Sequence, residues 1–101
     1  MITVVLIRSK NTLRIDFAGH AGYAEKGKDI VCAGVSALYY ALTEGVRRQA
    51  PNAVSVNRKS VTVDLSSAAA AAVSKAVETG LISIAEAYPR YLSVRRISGS
   101  F

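Results

Sequence analysis

The one cysteine of this chain, Cys32, and its one histidine, His20, stand 12 residues apart. A thiolate attacks a carbonyl, and an imidazole can take the thiol proton and return it to a leaving amine near neutral pH. Covalent catalysis by cysteine is therefore the chemistry these two side chains offer together. Each also has an ordinary structural role: a lone cysteine is most often a small core residue, and a histidine beside glycine can simply bond to backbone in a turn.

The setting gives the pair more weight. Asp29 is placed to cap a helix, so Cys32, three positions on, falls in the first turn, where free amides and the positive helix end favour a thiolate. The amides of Cys32 and Ala33 could form an oxyanion hole for a tetrahedral intermediate. Ala33 and Gly34 are small enough to admit substrate backbone or, equally, to allow close helix packing. Asp29 could orient His20 instead of capping, although capping is the favoured role. Ser36, one turn beyond Cys32, shares its side of the helix and could contact thiolate, substrate or local backbone. Gly19, Ala21, Gly22, Tyr23, Gly27 and Lys28, with Glu25 and Lys26, read as a bendable loop that contacts substrate and acts as a lid. Solvation alone would explain its charges.

Competing chemistries lack their residues. There is no CxxC pair or second cysteine for redox exchange, and cysteine and histidine are too few for a sequence-evident structural zinc site. Neither GxGxxG nor GxxxxGK[ST] occurs, and the papain signature CG[SA]C[WY] is absent. No cofactor and no metal are expected.

The elements that must position these residues follow from periodicity. Residues 2–8 are apolar on both faces and read as a covered strand. After a polar turn at Ser9, Lys10 and Asn11, Leu13, Ile15 and Phe17 alternate with Arg14 and Asp16 in a hairpin partner. Residues 19–31 break the pattern. From about Ile30 the spacing turns helical, with Val31, Val35, Leu38, Leu42 and Val46 on one stripe and Pro51 and Asn52 stopping it. Val54 with Val56, then Val61, Val63 and Leu65, predict a second hairpin turning at Arg58 and Lys59. Ser66 or Ser67 caps a second helix, whose inner face is Val73, Val77, Leu81 and Ile84 or else Ala76, Gly80 and Tyr88. Pro89 ends it, and a last short strand holds Leu92 and Val94, with Arg95 and Arg96 at its wetter end. The prediction is an α+β compact sandwich of order ββαββαβ, with two helices, the first one central, and a small mixed sheet.

A length of 101 residues, half of them apolar, suits one domain with one core, here 1–101. The first apolar run is far too short to cross a bilayer and no signal-type segment is evident, so no membrane role and a cytoplasmic location are expected. Thirteen Lys and Arg against seven Asp and Glu give a net charge of +6, which favours encounter with acidic surfaces such as RNA or the ribosome. No RNP-type aromatic pair, GxxG loop or zinc-finger spacing accompanies that charge.

Gly19-His20-Ala21-Gly22-Tyr23-Ala24, followed by Gly27-Lys28-Asp29-Ile30-Val31-Cys32-Ala33-Gly34-Val35-Ser36, resembles the bacterial ribosomal-processing cysteine protease family. The distinctive residues occupy positions 19–38, and length and element order are similar throughout. The resemblance implies Cys32 as nucleophile and His20 as its partner, a mobile loop between them, and a homodimer. It also implies a substrate: the precursor of the large-subunit ribosomal protein numbered 27, from which a short N-terminal extension is removed. The competing class is a noncatalytic ribosome- or RNA-associated binding domain, with Cys32 buried and His20 structural.

Overall fold

The computed structural model describes residues 1–25 and 27–99. Lys26, read above as part of the loop, lies outside the described residues.

Alternation along the first strand decides which face of the sheet is covered. In β1 (Ile2–Ser9) the side chains of Ile2, Val4 and Leu6 are buried, whereas Thr3, Val5 and Ile7 on the other face are half-buried. β2 (Thr12–Ala18) returns antiparallel with Ser9 opposite Thr12, so Lys10 and Asn11 alone make the turn. Leu13 and Ile15 join the same buried face.

The chain then forms α1 (Ile30–Gln49), a short 3-10 turn at Pro51–Ala53, and the hairpin of β3 (Val54–Asn57) and β4 (Ser60–Asp64). α2 (Ala68–Ala87) follows, capped by Ser67, whose hydroxyl accepts from the Ala70 amide at 3.2 Å. β5 (Leu92–Ser98) lies parallel to β1, and the five strands run in the order β3-β4-β2-β1-β5. The α+β order ββαββαβ and the mixed sheet are as the periodicity predicts.

Both helices use the face of Ile2, Val4, Leu6, Ile15, Val61, Val63 and Leu92. Each large aliphatic side chain sealed there contributes about 1.5–3 kcal/mol. The helices lie against each other, α1 also reaching β3 and α2 reaching β4 and β5, so the two predicted helices share the covered face and the first is not alone at its centre. Their close approach is set at Gly80, where an added Cβ would stand 2.9 Å from Leu38 Cδ2.

Two details differ from the sequence reading. The inner face of α2 is Ala70, Ser74, Val77 and Leu81, with Val73 and Ile84 half-buried and Ala76 exposed. β5 does not fade at Arg95 and Arg96 but continues to Ser98, because its pairing with β1 runs from Ile2 opposite Leu92 to Arg8 opposite Ser98. As an edge strand beside a central one, β5 can carry charged side chains outward while its backbone bonds inward. α2 is also long and apolar enough in composition to cross a bilayer. Alanines account for much of that character, and its buried face is packed on the sheet.

Candidate active site

The first turn of α1 is organised by one carboxylate. Asp29 has extended backbone (φ -83°, ψ 101°), and its Oδ1 accepts from the amides of Val31 at 3.0 Å and Cys32 at 2.9 Å. Its Oδ2 accepts from the Tyr23 amide at 3.0 Å, so the residue that starts the helix also fastens the preceding loop. The Cys32 amide, foremost, and then the loop amides hold the Asp29 carboxyl below its ordinary pKa.

Cys32 is half-buried, and its Sγ accepts a hydrogen bond from the Ala21 amide at 3.4 Å. Ala21 is buried, which seats the residue after His20 firmly against the helix start. Gly19 makes this path practicable: its φ is +85°, and an added Cβ would lie 2.4 Å from the Met1 carbonyl oxygen. A side chain fits neither that conformation nor that space.

His20 and Cys32 line one groove of about 350 Å³, together with Ile2, Phe17, Ala18, Gly19, Val35, Ser36, Tyr39 and Lys59. Val35, Ser36 and Tyr39 continue the wall from the helix, and Phe17 and Tyr39 meet edge to face with ring centroids 5.2 Å apart. Lys59 arrives because the Phe17 amide donates to its carbonyl at 3.0 Å, extending the β2–β4 ladder to the groove. The arrangement puts a thiol and an imidazole in one groove with an apolar wall that could take an extended peptide. A second cavity, of about 300 Å³, lies at the other end of β1 among Leu6, Arg8, Leu13, Glu78 and Arg96, with neither cysteine nor histidine.

The predicted site residues separate into groups. Gly19, His20, Cys32 and Ser36 share the groove, Ala21 touches the sulfur, and Asp29 caps the helix. Among the described residues the hydrogen bonds of the Asp29 carboxylate go to amides, none to His20. Gly22, Tyr23, Gly27 and Lys28 are loop residues outside the groove lining; Tyr23 packs on Tyr88 and Tyr91, and Lys28 pairs with Glu25 at 3.4 Å. The oxyanion expectation is corrected: the Cys32 amide donates to Asp29 Oδ1 and the Ala33 amide to the Asp29 carbonyl, at 2.9 and 3.0 Å. Both donors are therefore occupied by the cap itself. Phe17 and Lys59 enter the sequence reading as strand and turn residues, not as site residues, and Tyr39 does not enter it. Tyr39 alone carried a local signal, one turn beyond Ser36 on the same helix.

Comparison with known proteins places this geometry in context. The family described as cysteine protease Prp matches residues 1–93. A curated relative, the ribosomal processing cysteine protease Prp of Bacillus subtilis (strain 168), is 42% identical over 48 residues, 46% of this chain and 43% of that protein. The match thus spans less than half the length of that relative. Among solved structures, SMU.848 from Streptococcus mutans superposes with a TM-score of 0.80 at 29% identity, covering 98% of this chain and 96% of the other. An essential ribosomal processing protease Prp from S. aureus, in complex with a covalently linked product peptide, gives 0.74 at 21% identity over 96% of this chain and all (100%) of that one, which speaks to the fold alone. With the family match running from Met1 into β5 and taking in the whole groove, this chain belongs to the cysteine protease Prp family.

Proposed function

We propose that this protein is a cysteine endopeptidase that removes the N-terminal extension of the large-subunit ribosomal protein numbered 27 during ribosome maturation. The observation that carries the reading is that His20 and Cys32 share one groove while the Ala21 amide donates to the sulfur. Membership of a cysteine protease family supports the peptidase chemistry, and the name of the B. subtilis relative supports a ribosomal substrate.

In this reading His20 takes the thiol proton and Cys32 Sγ attacks the scissile carbonyl. The tetrahedral intermediate collapses as the amine leaves with that proton, and water then hydrolyses the thioester to free the enzyme. Phe17 and Tyr39 supply an aromatic wall suited to apolar and aromatic side chains of a bound peptide. The same reading has the protein act in the cytoplasm as a homodimer, its charge of +6 drawing it to the assembling ribosome.

The test is to incubate purified protein with the precursor and identify the new N-terminus by mass spectrometry, with Cys32→Ala as the control. A single new N-terminus formed by the parent and absent with the variant is expected. An untouched precursor, or equal cleavage by both proteins, rules the reading out.

A further inference from the structure

Three tyrosines from two stretches far apart in sequence meet beside the loop. The ring of Tyr23 lies edge-on to Tyr88, with centroids 5.5 Å apart and planes at 89°, and edge-on to Tyr91, at 5.0 Å and 80°. Both are favourable aromatic geometries. Tyr23 is 41% exposed, so this is not core packing that the fold requires.

The platform under Tyr23 is anchored on both sides. The Tyr88 amide closes α2 by donating to the Ile84 carbonyl at 2.8 Å, the Tyr91 amide donates to the Tyr88 carbonyl at 3.0 Å, and the Tyr91 carbonyl accepts from Ile2 at 2.9 Å. Two rings are thereby fixed to the end of α2 and the start of β1. On the loop side the Tyr23 amide is held by Asp29 Oδ2 at 3.0 Å, while Gly22, with a φ of +67° and open space around it, adds no packing, so the Tyr23 ring is the loop's side-chain contact with this platform.

We propose that Tyr88 and Tyr91 are positioning residues for the reaction: by latching Tyr23 they hold the loop so that the Ala21 amide stays on Cys32 Sγ and His20 stays in the same groove. Tyr23 is two residues from Ala21 and three from His20, so a shift at the ring is passed to the sulfur through very little backbone. The kinetic part of the inference rests on the peptidase reading; the placement of Ala21 does not.

Hydrogen exchange at the Ala21 amide, measured by NMR, reads the latch without any substrate. Tyr88→Leu and Tyr91→Leu should each speed that exchange about two- to tenfold, and Tyr23→Leu, losing both contacts, should speed it further. With the precursor as substrate, kcat should fall in the same rank order while KM stays within about twofold. Tyr88→Phe and Tyr91→Phe keep the ring edges and should match the parent in both measurements. Unchanged exchange in Tyr23→Leu overturns the proposal, as do Phe variants that behave like the Leu variants. Should Tyr88→Leu or Tyr91→Leu fail to fold, Tyr23→Leu decides alone, because its ring stands half in solvent. A parent that exchanges as described but cleaves no precursor supports the latch and rejects the peptidase assignment.

Discussion

The Ala21 main-chain amide donates a hydrogen bond to Cys32 Sγ across 3.4 Å. This one contact joins the loop that carries His20 to the helix that carries Cys32, and its donor is backbone. A side-chain change at Ala21 therefore leaves the donor in place, whereas a change in loop path removes it. The amides of Cys32 and Ala33 are held by Asp29, which leaves Ala21 as the amide seen directed at the sulfur.

His20→Gln should lower the rate of acylation at neutral pH by about 10²–10⁴-fold, the usual contribution of a positioned proton acceptor. Glutamine approximates the size of the ring without its basicity. Exposed His20 contributes little to packing, so thermal unfolding should be nearly unchanged. Single-turnover kinetics on the precursor check the first statement; an acylation rate equal to the parent's excludes His20 as the base.

Gly19→Ala tests the path of the loop. The new Cβ meets both a left-handed backbone and the Met1 carbonyl oxygen at 2.4 Å, and the latter is main chain that cannot turn aside. Destabilisation of at least about 1–3 kcal/mol is expected, with the Tm lowered by several degrees. Cleavage should fall by more than the folded fraction does, because His20 is the next residue. A variant with parental Tm and parental activity would show that Gly19 is not needed here.

Much of this arrangement is legible in sequence because it is local. Asp29, Cys32 and Ser36 sit at cap and helix spacing, and the alternation of Leu13, Ile15 and Phe17 or of Val61 and Val63 names the covered face directly. The rest depends on contacts between distant residues. Lys59 reaches the groove only through the pairing of β2 with β4, and Tyr88 and Tyr91 meet Tyr23 only once β5 lies beside β1. The oxyanion expectation failed for a different reason: the residue that starts the helix takes these amides itself, the Cys32 amide on its carboxylate and the Ala33 amide on its main-chain carbonyl. Thr43 escaped notice because its hydroxyl donates back to the Tyr39 carbonyl at 3.1 Å, which lets a polar residue sit in an apolar stripe.

The acid limb of stability should report on Asp29. Its folded carboxyl titrates below the unfolded one, foremost because the Cys32 amide bonds the ionised form. Its stabilising effect is thus fully present above the ordinary aspartate value of about 3.9 and is lost as pH falls through the lower folded value. Asp16, lowered mainly by its bond with Arg14, acts in the same window, so only a comparison of variants isolates Asp29. Asp29→Asn should reduce stability at neutral pH and flatten its fall in acid. Urea unfolding across this range checks it, and parallel curves for the two proteins would show that the cap carries no net charge effect.

Ser74→Ala should stabilise the protein. Ser74 is 2% exposed on the inner face of α2, and its Oγ is the buried side-chain atom without a hydrogen-bond partner among the described residues. A hydroxyl desolvated in this way costs about 1–3 kcal/mol, and alanine is also the better helix former by about half a kcal/mol. Against these gains stands the small void left by one oxygen, next to a cavity that already exists beside Leu6 and Leu13. The balance favours alanine by about 1 kcal/mol, which for a domain of this size raises Tm by roughly 4–8 °C. Ser74 lines the second cavity and not the groove of Cys32, so cleavage should be unaffected. A lowered Tm would mean that the hydroxyl is bonded in solution and that the inner face of α2 is arranged around it.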